Sequence, residues 1–238
     1  MAVSFFIFLL HFFYFSHAQN LPAAIAEIPL PEGYERVTAK AGSFKEYLHC
    51  FSLKRDKTVY LYNGKKKPGQ SAQYAVLDLS TGTKDLQQCA DAVMRLRAEY
   101  QKQKNIPICF SDNAGKNYCW SSYVHRGWQV YLETVFGMCG TLSLERQLKK
   151  QSWKNLKAGD VIIKGGSPGH AVIIMDMARH KRSGKVIFLL AQSYMPAQDM
   201  HLLINPKESN LSPWYSIPDK YLYTPEWTFE VSQLRTWP

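Results

Sequence analysis

The sequence predicts an α+β fold, an antiparallel β-sheet core with packed helices, and three observations carry that prediction. The chain has 238 residues, 46% of them hydrophobic and 20% charged. That supports a core of ordinary size and excludes disordered, collagen-like or coiled-coil classes. Residues 83–104 place Leu86, Ala90, Val93, Leu96 and Tyr100 at steps of three and four, the period of an amphipathic helix. The second half carries short runs rich in β-branched and large aliphatic residues, at 161–163, 170–176 and 186–193, separated by glycine-containing turns. These read as buried strands.

The elements follow in order. Residues 1–18 hold an apolar run from Phe5 to Phe15, broken by His11, then Ser16-His17-Ala18. This is the pattern of a signal-peptide core with a small-x-small cleavage site, too short to span a bilayer as a helix. A mature chain of residues 19–238 is therefore expected to be exported, periplasmic or extracellular, with no stable membrane span after cleavage. Residues 19–43 are punctuated by proline and glycine and read as surface chain. Residues 44–51 read as a short helix, and 58–62 and 74–79 as two strands joined by a basic turn at 63–69. Within the long helix, Asp91, Arg95 and Glu99 stand four apart, so opposite charges share one face. Residues 106–120 read as a hairpin that sets Cys109 opposite Cys119; both a disulfide and a free pair stay open. Five cysteines cannot all pair within the chain, so at least one thiol is free. A helix is expected around Tyr131 and another from about Thr141. The segment after Asn205, rich in Pro and Trp, is expected to wrap the body as irregular structure. Nothing marks a linker or a repeat, and residues 19–238 read as a single domain and a monomer.

Charge and motifs narrow the function. Lys and Arg number 29 against 19 Asp and Glu, a formal net charge of +10, and residues 1–18 contain none of these. The basic balance suits anionic partners. The lysines are dispersed and form no stripe, so nucleic acid is not expected. Gly165-Gly166-Ser167-Pro168-Gly169 precedes a strand, not a helix, and is no nucleotide loop. His170, Asp176, Asp199 and His201 lack the close spacing of a metal set, so no metal or cofactor is expected.

One arrangement points to chemistry. Cys139 lies two residues before the helix expected at Thr141, where backbone N–H groups and the helix dipole favour thiolate and could hold an oxyanion. His170 opens a buried strand beside a glycine-rich turn, and Gln192 ends the next strand roughly opposite. Cys139, His170 and Gln192 are thus candidate nucleophile, base and orienting residue. Ser167, Tyr194, Asp199 and His201 are candidate substrate-binding residues. Two plainer readings stand beside this one: Cys139 as small apolar filler at a helix start, and Asp199 as a residue satisfying backbone groups in the bend around Met195-Pro196.

The order of a cysteine at a helix start, a histidine at a strand start and a polar residue on the next strand resembles papain-like cysteine peptidases of the NlpC/P60 type, as does Gly159-Asp160-Val161 before the His-initiated strand. The resemblance covers about residues 139–194. It implies a papain-like half at about 130–204 and attack of a thiolate on an amide of cell-wall peptides. Four longer blocks, Gln87–Tyr100, Gly140–Leu144, Gly165–Val172 and Leu190–His201, resemble an uncharacterised family of secreted bacterial proteins, domain of unknown function 4846. That likeness implies export and bacterial origin but no activity. The expected function is an exported cell-envelope thiol amidase or peptidase acting on envelope peptides. The alternatives are a catalytically inactive papain-like module binding envelope glycan or peptide, and a structural envelope protein.

Overall fold

The computed structural model describes residues 21–238; the expected signal peptide at 1–18 lies outside the described residues. Four helices, α1 (Phe44–His49), α2 (Cys89–Gln103), α3 (Trp128–Met138) and α4 (Thr141–Gln147), interleave with thirteen strands. The first strands are β1 (Tyr34–Arg36), β2 (Gln73–Val76), β3 (Cys109–Ser111), β4 (Asn117–Cys119) and β5 (Lys149–Lys150). The centre is β6 (Val161–Lys164), β7 (His170–His180), β8 (Val186–Gln192) and β9 (His201–Leu203). The chain closes with β10 (Tyr215–Ser216), β11 (Tyr221–Tyr223), β12 (Thr228–Glu230) and β13 (Leu234–Thr236).

Nine of these strands form one sheet in the order β2-β9-β8-β7-β6-β13-β5, with β1 added to β7 and β10 to β8. Every pairing is antiparallel, so the expected α+β architecture is present. Strand β7 sits at the centre and is buried from His170 to Ala178. Its side chains alternate between two apolar clusters, as a pleated strand requires. Ala171, Ile173 and Met175 pack with Val93, Met94 and Leu96 of α2. Val172 and Ile174 face the other way, onto Phe188, Leu190, Tyr215 and Phe229. Helices therefore cover one face, and the C-terminal segment covers the other.

Asp176 interrupts this apolar strand. It is fully buried beside a register shift between Ile174 and Asp176, and one carboxylate oxygen takes both Arg36 Nε at 2.9 Å and His49 Nδ1 at 3.2 Å. Arg36 also donates to the carbonyl of Ile28 at 2.5 Å. A carboxylate in the core is tolerable only with such partners, and here they tie β1 and α1 to the sheet.

Three expectations change in the structure. The long helix begins at Cys89 instead of Thr83, because residues 84–88 form tight turns. Leu86 and Gln88 each bond back two residues, and Ser193 Oγ holds the Gln87 carbonyl at 3.1 Å. Residues 58–62 contribute isolated bridges at Tyr60 and Leu61, not a strand paired with 74–79; β2 pairs with β9 instead. The C-terminal segment forms four short strands where irregular wrapping was expected. The hairpin at 106–120 is present, and Cys109 and Cys119 are joined by a disulfide.

Replacing Asp176 with Ala leaves Arg36 and His49 without their shared anion. The expected cost is about 3 kcal/mol in urea unfolding, with amide protection falling first across residues 25–51.

Candidate functional site

The glycine-rich turn after β6 delivers His170 to the end of the sheet. A side chain at Gly169 would collide with the Thr141 hydroxyl and the carbonyls of Gly166 and Lys164, so glycine is required where the turn packs on the start of α4. Thr141 Oγ1 donates to the Gly166 carbonyl at 3.2 Å. His170 then opens β7, opposite Lys164, with 1% of its surface exposed.

The imidazole is held on several sides. Its Nε2 lies 2.8 Å from Gln192 Oε1. The Gln192 amide nitrogen in turn donates to Glu226 Oε2 at 2.6 Å, and Lys67 Nζ pairs with Glu226 Oε1 at 2.5 Å. This chain fixes a tautomer. Glu226 only accepts when ionised, so the NH2 of Gln192 faces Glu226 and its carbonyl oxygen faces the ring. His170 therefore carries its proton on Nε2, and the Nδ1 lone pair is available to accept one. The rings of Tyr194, Trp227 and Phe229 surround it, with centroids at 4.7, 5.3 and 5.7 Å. Burial lowers the His170 pKa to about 4, against the opposing pull of Gln192 and Glu226.

A cavity of about 520 Å³ opens beside the ring. His170, Ser167, Tyr194 and Trp227 line it together with Cys89, Asp91, Cys139, Gly140 and Thr141. Cys89 is the first residue of α2 and partly exposed. The backbone N–H groups of Ala171, Ala90 and Cys89 itself act on its sulfur and favour thiolate. Thus the thiol meets the chain at the residue next to the histidine. Burial, reinforced by Asp91, still pushes the Cys89 thiol up to about 11. At neutral pH the resting pair is a neutral thiol and a neutral imidazole.

The sequence-derived residues fall into two groups. His170 and Gln192 are hydrogen-bonded as the strand register implied, and Ser167 and Tyr194 line the same cavity. Cys139 also lines it, but as the C-cap of α3 it is buried, and burial with Asp91 and Asp112 pushes its thiol up to about 12. Asp199 stands away from the cleft, pairing with Lys54 Nζ at 2.8 Å and accepting from the Tyr60 N–H at 3.0 Å. His201 is wholly buried, with Nδ1 2.9 Å from the Asp199 carbonyl and Nε2 unpartnered; burial lowers its pKa to about 4.

Sequence reasoning missed Cys89, Glu226, Trp227 and Lys67. The cysteine was within reach: it stands where the clearest amphipathic helix starts, once the turns before it are recognised. Among the described residues no group of three or more His, Cys, Asp and Glu gathers as a metal site would need, and no helix is long and apolar enough to cross a membrane. A wider depression of about 820 Å³ lies beside the disulfide hairpin, but its lining brings no base to a free thiol.

Fold and cleft together define an α+β protein in which a thiol and a tautomer-fixed imidazole line one cavity. The chain belongs to the family described as domain of unknown function (4846), whose profile matches residues 25–128 and 120–236. No curated protein and no solved structure matches it.

The titration of the two buried histidines is directly observable. Both are depressed, so both stay neutral until the pH falls towards about 4. Proton NMR should show the ring signals of His170 and His201 unchanged between about pH 5.5 and 8, where an unperturbed imidazole titrates. A midpoint near 6.5 for either would contradict the enclosure described here.

Proposed function

We propose that this protein is a thiol-dependent amide hydrolase of papain-like, NlpC/P60-like design, exported to the cell envelope and acting on envelope peptides. In this reading Cys89 takes the nucleophile's place that the sequence pattern suggested for Cys139. The observation that carries it is the convergence of Cys89, at the start of α2, with His170, whose Nε2 is anchored by Gln192. Cys139 is the weaker candidate: it ends a helix, and burial together with both Asp91 and Asp112 pushes its thiol higher than that of Cys89.

The chemistry follows from the resting protonation states. As Cys89 Sγ attacks the carbonyl carbon of an amide, its proton passes to His170 Nδ1. The carbonyl π electrons move onto oxygen, where the N–H groups of Cys89 and Ala90 at the helix start can receive the charge. The tetrahedral adduct collapses to a thioester, and the amine leaves with the proton from His170. Water then attacks the thioester, giving its proton to His170 and releasing the acid and the thiol. Gln192, backed by Glu226 and Lys67, keeps the ring oriented throughout. Tyr194, Trp227 and Ser167 supply a wall with both aromatic and hydroxyl character for the substrate.

The elevated thiol also favours a second reading. A neutral thiol between aromatic walls suits a cleft that binds an envelope peptide or glycan without cleaving it.

Two experiments test the assignment. With envelope peptide fragments, Cys89→Ser should lower amide hydrolysis by at least about 10³-fold, and Cys139→Ala should leave most activity. The reverse pattern would return the nucleophile to Cys139, and ligand binding without any cleavage would favour the second reading. For active protein, kcat/KM should stay flat through neutral pH. It should fall on the acid side near pH 4, where His170 takes up a proton and can no longer accept one from the thiol. An acid limb centred near 6.5 would mean that the base is some other group.

A further inference from the structure

About two turns along α2 from Cys89, roughly 12 Å by the helical rise, a separate cavity of about 340 Å³ opens on the helix-covered side of the sheet. Its walls are Phe44, Trp237 and the Ala158-Gly159 backbone, and its charged residues are Lys40, Lys45, Arg97 and Lys157. No acidic side chain lines it, and Pro238, the last residue of the sequence, stands on its rim.

Arg97 is the unusual member. Its guanidinium carbon lies 5.0 Å from the ring centroid of Phe44, 5.2 Å from Trp237 and 5.6 Å from Tyr100. The group is thus held by aromatic rings and half-buried. Yet among the described residues it enters no ion pair, and its Nε is buried with no hydrogen-bond partner. Arginine in such surroundings ordinarily spends its fork of donors on a carboxylate or phosphate. Lys40 and Lys157 are likewise unpaired, and Lys45 uses one donor on the Thr38 carbonyl at 2.9 Å. Acids on the same segments are engaged elsewhere. Glu46 accepts from the Gly42 N–H at 2.5 Å, and Asp160 from the Lys157 N–H at 2.9 Å.

An aromatic-braced guanidinium outside any ion pair, with three lysines on the same cavity, presents free donors to an anion. We infer that this cavity binds a phosphate monoester group, with Arg97 as its central ligand and Lys40, Lys45 and Lys157 around it. Phosphate fits better than carboxylate. It carries close to two negative charges and three acceptor oxygens, enough to engage the Arg97 fork and two or more ammonium groups together. The inference does not rest on the chemistry of the Cys89 cleft.

Trp237 provides the readout, because its indole N–H donates to the Gly159 carbonyl at 3.0 Å on the cavity wall. The intact chain is titrated with inorganic phosphate, and in parallel with acetate at matched ionic strength, while the Trp237 indole signal is followed by NMR. Phosphate should shift it saturably and acetate at least about tenfold more weakly. Arg97→Gln should weaken phosphate binding about tenfold or more. Because Arg97 also packs against rings, the exposed pair Lys40→Gln/Lys157→Gln serves as a second variant and should weaken binding similarly. A signal that phosphate leaves unmoved or shifts without saturation, or an equal response in the lysine variant, overturns the site. Acetate binding as tightly as phosphate overturns the assignment of its ligand.

Discussion

Strand β7 is buried on both faces along nearly its whole length, and the polar groups it carries must be answered from inside the protein. Asp176 and the His170 ring have almost no exposed surface, so each is held by a partner delivered from a distant part of the chain. For Asp176 these are Arg36 and His49, which tether the N-terminal segment. For His170 the partner is Gln192, and Gln192 is in turn held by Glu226 from the C-terminal segment. The two ends of the chain are thus fastened to one strand by polar contacts, with apolar packing filling the space between.

Much of this was legible in the residues. The runs at 161–163, 170–176 and 186–193 identify the central strands because continuous apolar stretches bounded by turns have few alternatives. The same spacing placed Gln192 opposite His170, and the structure has them hydrogen-bonded. The start of α2 was misread because the apolar stripe extends back to Leu86, while turns at 84–88 postpone the helix to Cys89. That displacement hid the thiol: a cysteine inside a helix is packing, and a cysteine at its first residue faces free N–H groups. Glu226 and Trp227 were missed for another reason. They act across the fold from a proline-rich stretch with no periodicity, and only the tertiary arrangement brings them to the histidine.

The electrostatics of the cleft are those of enclosure. His170 is driven down and Cys89 up, both chiefly by loss of water. Each shift favours the neutral form, so thiol and imidazole rest as an uncharged pair. The Lys67–Glu226 pair reaches the imidazole only through Gln192. In the proposed hydrolysis the thiol–imidazole pair would depend on accurate placement more than on a pre-formed thiolate.

The cleft gathers Lys67, Cys89, His170, Gln192 and Glu226 from widely spaced stretches of the chain, and the last arrives only when the C-terminal segment has folded over the sheet. A partly made or partly unfolded chain holds the thiol and the imidazole without the brace that orients them. Whatever reactivity depends on the oriented ring is therefore a property of the finished fold, present only when the C-terminal segment lies against the histidine.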